Sequence, residues 1–178
     1  MNKNKIFLAK KTLQYLEKKK LRDINLINFL SNTKVPNINN KIDLILNINE
    51  FFDFRLKKNL VNIEKSSQRD MLFEIMMARF DILNDYRPSV KNIINYFMSR
   101  PQGVLKLIPK LIESKILIAT LANINPSGIQ GVIKIKIIFV LYYITLFTWL
   151  NDENESLEKT MSVLDKYLNN IEKFVKFS

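Results

Sequence analysis

The stretch Gly131-Val-Ile-Lys-Ile-Lys-Ile-Ile-Phe-Val-Leu-Tyr-Tyr-Ile-Thr-Leu-Phe-Thr-Trp149-Leu150 decides the fold. From Ile137 to Leu150 it is apolar around the whole circumference of a helix, which predicts a helix enclosed on every side. That run is shorter than the roughly 20 residues a membrane span needs, and Lys134 and Lys136 stand just ahead of it. A core helix is therefore the expectation. After Asn151-Asp152-Glu153, the residues Leu157, Met161, Leu164, Leu168, Ile171 and Val175 recur alternately four and three apart. This is the stripe of a helix that packs along another helix.

Upstream, apolar residues return at helical spacing in segment after segment. A first helix is expected over 3–19, with Ile6, Phe7, Leu13 and Leu16 on one face, then a turn at 21–24 and a short helix carrying Ile27, Phe29 and Leu30 that ends near Thr33. Pro36 stops helical continuation in a polar break. A helix then runs from Lys41 to about Ile63. Ser67, with Asp70 three residues on, opens a helix to about Asp85. Pro88 suits the first turn of the next, which turns Val90, Ile93, Ile94 and Phe97 inward. Pro101 opens another that is expected to bend at Pro109, and Asn125-Pro126-Ser-Gly128 is a turn. No segment alternates with the period of a strand. The fold class is all-α, in two regions: 1–65 and 66–178.

The chain of 178 residues, 47% hydrophobic with three glycines and five prolines, suits a compact helical protein that buries a real core. It has no cysteine and no histidine. That excludes disulfides, thiolate nucleophiles, Cys/His zinc sites and imidazole bases. No activated nucleophile pattern stands out, so no enzymatic activity, cofactor or metal is expected. Asp81 and Asp85 lack companion ligands, and the acidic stretch Asp152-Glu-Asn-Glu155 reads as a solvated loop and helix cap.

The net charge of +11 is uneven: residues 1–65 hold 14 Lys/Arg against 6 Asp/Glu, and 66–178 hold 14 against 11. Lys10, Lys11, Lys18, Lys19 and Lys20 form the candidate surface for an anionic partner, nonspecific nucleic acid or a lipid headgroup surface. Lys, Asn and Ile are abundant throughout the chain, which accounts for the excess charge equally well. Ile6-Phe-Leu-Ala9 is too short for the apolar core of a secretory signal, so a cytoplasmic location is expected.

The opening helices resemble the TetR superfamily. Ala9, Leu13 and Leu16 match its first helix, Thr33-Lys34-Val35 stands where that family has Ala-Gly-Val, and Lys41-Ile-Asp-Leu44 stands at its Lys-x-x-Leu. Only the five residues Pro36 to Asn40 lie between, too few for a recognition helix, so the helix-turn-helix is degenerate. Residues 66–172 carry a second resemblance. Arg69-Asp-Met-Leu-Phe-Glu-Ile-Met-Met-Ala-Arg-Phe80-Asp81, Trp149-Leu-Asn-Asp152, Ser156-Leu157, Thr160-Met161 and Leu164-Asp165 are similar to a TetR-like group related to the lipid-binding accessory protein of ubiquinone (coenzyme Q) biosynthesis.

That resemblance implies a homodimer with a ligand-binding and dimerisation bundle at its carboxy-terminal end. It also implies an apolar pocket for an isoprenoid or quinone lipid, presented to a ubiquinone-pathway hydroxylase, with peripheral attachment at the inner membrane as an option. The candidate pocket residues are Met76, Phe80, Phe97, Leu111, Ile112, Phe139, Tyr142 and Trp149, although helical spacing alone also places such residues in a plain core. The candidate dimer interface is Leu157, Met161, Leu164, Leu168 and Ile171. The alternative function is a TetR-type, ligand-responsive transcriptional regulator that binds DNA.

Overall fold

A computed structural model describes residues 1–31, 33, 35–60 and 66–173. Lys34, Ile63 and Val175 lie outside the described residues. Among the described residues the secondary structure is helical and contains no strand. The helices are α1 Lys3–Lys18, α2 Leu26–Leu30, α3 Lys41–Asn59, α4 Gln68–Asn84, α5 Arg87–Met98, α6 Gln102–Leu105, α7 Ile108–Leu121, α8 Gly128–Leu150 and α9 Glu158–Glu172, with one 3-10 turn at Leu21–Asp23. The chain forms two compact units, one of 1–57 with 82–111, the other of 58–81 with 112–178. The sequence boundary at residue 65 does not coincide with this division, because α5 packs on α1 and carries 82–111 to the first unit.

In the first unit, polar side chains fix the ends of α1. The Asn2 side chain accepts from Lys5 N at its start. At its far end α5 supplies the donors: Ser89 Oγ to Leu13 O at 2.7 Å, and the Asn92 amide to Leu16 O at 2.8 Å and Lys19 O at 3.1 Å. The buried face of α1 is Leu8, Ala9, Leu13 and Leu16. Helix α3 joins it through Asn47 Nδ2 on Lys5 O at 3.0 Å and the Lys5–Glu50 ion pair at 2.7 Å. The start of α3 is capped reciprocally: Asn40 Oδ1 accepts from Ile42 N and Asp43 N, and Asp43 Oδ2 accepts from Asn39 N and Asn40 N.

In the second unit, Ser67 caps α4 as expected, accepting from Asp70 N at 3.1 Å and donating to Asp70 Oδ2 at 2.7 Å. At the end of the first unit, Pro109 stands in the first turn of α7, after a separate short α6, instead of bending one long helix. A proline is tolerated in the first turn and breaks a helix elsewhere. Helix α8 begins at Gly128, well before the wholly apolar run, and by length and composition alone is long enough to cross a membrane. Lys134 and Lys136 inside it oppose that placement.

The expectation that α8 is enclosed all round does not hold within one chain. Gly131, Ile135, Ile138, Leu141, Tyr142, Thr145 and Trp149 form its buried face. Val140 and Phe147 are each 56% exposed and Ile129 is 83% exposed, with Val132, Ile133 and Ile144 exposed on the same side of the helix. Seven inward positions make one face of a helix. The chain covers that face and leaves the other open.

The turn into α8 is set by contact. A Cβ at Gly131 would lie 2.2 Å from Pro126 C and 2.4 Å from Pro126 O, so no side chain fits. Gly131→Ala is expected to lower stability by about 1–3 kcal/mol through overpacking against backbone, measured as a reduced urea midpoint with an unchanged slope.

Candidate functional site

The second unit buries two cations, one of them against aromatic rings. Arg79 on α4 and Lys115 on α7 are each 1% exposed. Lys115 Nζ lies 3.4 Å from the ring centroid of Tyr142 and 5.7 Å from that of Tyr143, both on α8. Tyr142 stacks on Phe80 at 5.2 Å with an interplanar angle of 16°. Phe139 and Tyr143 contact each other at 4.7 Å along the adjoining, half-buried strip of α8. Burial pushes the Tyr143 phenol well above its ordinary value, and Tyr142 adds to this while Arg79 pulls the other way. Tyr143 is therefore a neutral hydroxyl and not a base.

A desolvated cation–π contact is worth about 2 kcal/mol, whereas burying an ammonium costs several. Lys115 and Arg79 accordingly make further interactions beyond these rings. Neither cation was singled out from sequence, yet a signal exists. Lys115 falls in register with the buried positions Ser114, Ile118 and Ala119 of α7, and Arg79 with Leu72, Ile75, Met76 and Phe80 of α4. A charge on the core side of a helix is costly enough to mark a position worth inspecting.

The eight candidate pocket residues divide between the units. Met76, Phe80, Ile112, Phe139, Tyr142 and Trp149 belong to the second, and Phe97 and Leu111 to the first. Met76, Phe80 and Trp149 are fully buried, and Phe97 and Tyr142 nearly so. Leu111 and Phe139 are half-buried, and Ile112 is exposed on the outer side of α7. The stacked pair Phe80 and Tyr142 is the part of the set that the second unit joins face to face.

Of the candidate interface residues, Leu157, Leu164 and Leu168 are buried inside the second unit, where α9 packs along α8. Met161 is 40% exposed and Ile171 half-buried. Leu157 adopts a left-handed backbone, φ 54°, which lets it turn in just before α9.

The quoted motif residues hold α9 in place. Asp152 Oδ2 accepts from Thr160 N and Thr160 Oγ1, both at 2.8 Å, and the Asp152 and Thr160 side chains are buried. Glu153 and Glu155 beside it are exposed, so the acidic stretch holds one inward cap and two solvated carboxylates. Arg69 on α4 pairs with Asp165 and Asp70 and donates to Asn169 Oδ1 at 2.7 Å. In the first unit, Lys10, Lys18, Lys19 and Lys20 are exposed. Lys11 is tied down, its Nζ donating to Phe29 O at 2.6 Å and lying 4.7 Å from the Phe29 ring centroid. Lys19 Nζ rests 5.4 Å from the Tyr15 centroid.

Comparison with known proteins finds no family model that matches this chain and no curated protein with significant similarity to it.

Burial pushes the Asp152 carboxyl up, but the hydrogen bonds from Thr160 and Asn154 N–H and the charge of Lys159 outweigh it, so its pKa lies below the ordinary value. The folded-state pKa being the lower one, the contribution of the carboxylate is full above the unfolded value of about 3.9 and lost as pH falls through the folded one. Asp152→Ala is expected to cost about 1–3 kcal/mol at pH 7 by leaving the Thr160 donors buried and unpaired. The difference from the parent chain should shrink below pH 4, as chemical denaturation at several pH values would show.

Proposed function

We propose that the protein is a non-catalytic binding protein for an isoprenoid or quinone lipid, acting as a homodimer and as an accessory factor in ubiquinone biosynthesis. The observation that carries this reading is the open apolar face of α8, from Ile129 to Phe147, lying beside a half-buried aromatic strip with Lys115 against its tyrosines. An isoprenoid tail takes the part of this apolar surface that a second copy leaves uncovered, and a quinone head takes ring faces. The resemblance of residues 66–172 to the ubiquinone accessory group supports the choice of lipid. A ubiquinone-pathway hydroxylase is the partner that reading brings with it. Its location is cytoplasmic or peripheral at the inner membrane.

Magnitudes favour a second copy over an isolated chain. Each large apolar side chain gains about 1.5–3 kcal/mol when fully covered, against an association cost of about 4–15 kcal/mol. Six apolar residues along α8, about half exposed on average and doubled by two-fold symmetry, bring a gain of the same order as that cost; one or two would not. Val140→Asp with Phe147→Glu is expected to give a folded monomer in sedimentation at micromolar concentration. Leu164→Asp, by contrast, should unfold the chain, because its side chain is fully buried against its own unit. A parent chain that sediments as a monomer rejects the dimer.

For the ligand, a long-chain isoprenoid quinone is expected to raise the melting temperature, and a short polar quinone to leave it unchanged. Absence of a shift with every long-chain lipid tried rejects the lipid reading. A DNA-binding regulator of the TetR type is the second reading, favoured by the exposed lysines at 10, 18, 19 and 20. Residues 35–40 contain no helix among those described, so such binding is expected to be nonspecific and to fall steeply with salt. A footprint on one operator at physiological salt would establish the regulator instead.

A further inference from the structure

The first unit contains a cleft of about 420 Å³ between the end of α1 with its following 3-10 turn and the last turns of α5. Leu21, 1% exposed, lines it together with Lys20, Arg22, Asn95, Tyr96 and Arg100. The volume lies within the range of small-ligand sites, roughly 300–1,000 Å³. Three lining residues are cationic, and no lining residue is a carboxylate.

Basic residues just past a helix commonly serve the orphan carbonyls of its last turn. Here those carbonyls have other donors. Tyr15 O accepts from Lys19 N, and the Asn92 amide serves Leu16 O and Lys19 O. Ser99 Oγ donates to Tyr96 O at 2.9 Å, and Phe97 O accepts from Arg100 N at 3.1 Å. The ammonium of Lys20 and the guanidinium of Arg100 make no ion pair among the described residues. Arg22 Nε stands 3.5 Å from Asp23, a neighbour outside the cleft lining, and both side chains are more than half exposed. Such a pair contributes about 1 kcal/mol or less and leaves the terminal nitrogens available.

The charge count decides the sign of the ligand. Two helix ends bring roughly −0.5 each, and Asp23 brings one full negative charge. Against three cations the balance stays positive, by about one charge. Arg100 lies 4.9 Å from the Tyr96 ring centroid, so one wall pairs a guanidinium fork with a flat ring. Guanidinium forks bind phosphate oxygens bidentately.

We propose that this cleft binds a phosphorylated small molecule, its mono- or diphosphate group held by Lys20, Arg22 and Arg100 and its organic part lying against Tyr96. The phosphate comes either from a soluble metabolite or from a phospholipid headgroup, and the experiment distinguishes the two. Calorimetric titration of the full chain with sodium pyrophosphate in low-salt buffer is expected to show saturable 1:1 binding. Lys20→Gln with Arg100→Gln should weaken it at least tenfold, while the equal charge change Lys57→Gln with Lys58→Gln alters it less than twofold. Both double variants are compared at matched melting temperature. Lys20→Gln alone, at an exposed position, serves if the pair does not fold and should still weaken binding severalfold.

Phosphatidate vesicles sedimented with the parent chain, compared with phosphatidylcholine vesicles, identify the source. Capture by phosphatidate that pyrophosphate displaces assigns a lipid headgroup, and binding of pyrophosphate without capture assigns a soluble phosphate. Absence of saturable pyrophosphate binding, or equal weakening by both double variants, overturns the proposal, since either shows diffuse surface charge and no site.

Discussion

Helix α8 carries more apolar perimeter than its own unit covers, and the second unit is built on the face that is covered. Phe80 of α4 stacks on Tyr142, and Lys115 of α7 meets the same ring. Leu164 and Leu168 of α9 are buried where that helix packs along α8. The entry and exit of α8 are fixed by short-range chemistry. Gly131 sits where Pro126 leaves no space for a side chain, and Asp152, two residues past the last helical turn, reaches to Thr160 to start α9. A helix whose outer face is left open must be held firmly at its inner face. The polar contacts at both ends do this where apolar packing, which has no direction, does not.

The first unit uses the opposite economy. Several of its ties are hydrogen bonds from side chains to the backbone of another helix: Ser89 and Asn92 to α1, Asn47 to Lys5, Lys11 to Phe29. Each satisfies a carbonyl that would otherwise need a solvent or a neighbouring cation. Neutral amides and hydroxyls do that work at the end of α1, so the cap there is supplied by Asn92 and not by the adjoining Lys20.

The helical succession was legible from apolar spacing and from punctuation. Ser67 caps α4, Pro88 lies in the first turn of α5, and the Asn125–Ser127 connection, where Asn125 Oδ1 accepts from Ser127 N, leads into α8. What sequence periodicity could not supply was which face of a wholly apolar helix is covered. Spacing predicts burial only where polar residues mark an outside, and between Ile137 and Leu150 only threonines and tyrosines interrupt the apolar series. The α9 stripe shows the converse limit. Its spacing marks Leu157, Leu164 and Leu168 as inward while Met161 is exposed, and whether inward means one's own unit or a second copy depends on tertiary contacts. Leu157, Leu164 and Leu168 proved to be internal to the unit. The buried cations escaped notice because lysine and arginine are common on helices. Only their register with core positions distinguishes Arg79 and Lys115 from their exposed neighbours.

Those two cations also bear on what kind of protein this is. A chain selected for stability alone would gain from replacing Lys115 and Arg79 by apolar residues of similar volume, since buried charges return at best part of their desolvation cost. It would gain as well from polar residues on the outer face of α8, where Val140 and Phe147 meet water. Both departures from self-sufficiency lie along one helix, one beneath it and one on its open side. Absence of His and Cys removes the usual acid–base and nucleophilic groups, and the raised pKa of Tyr143 removes a further base. What distinguishes α8 is an open apolar surface on one side and two buried, partnered cations on the other.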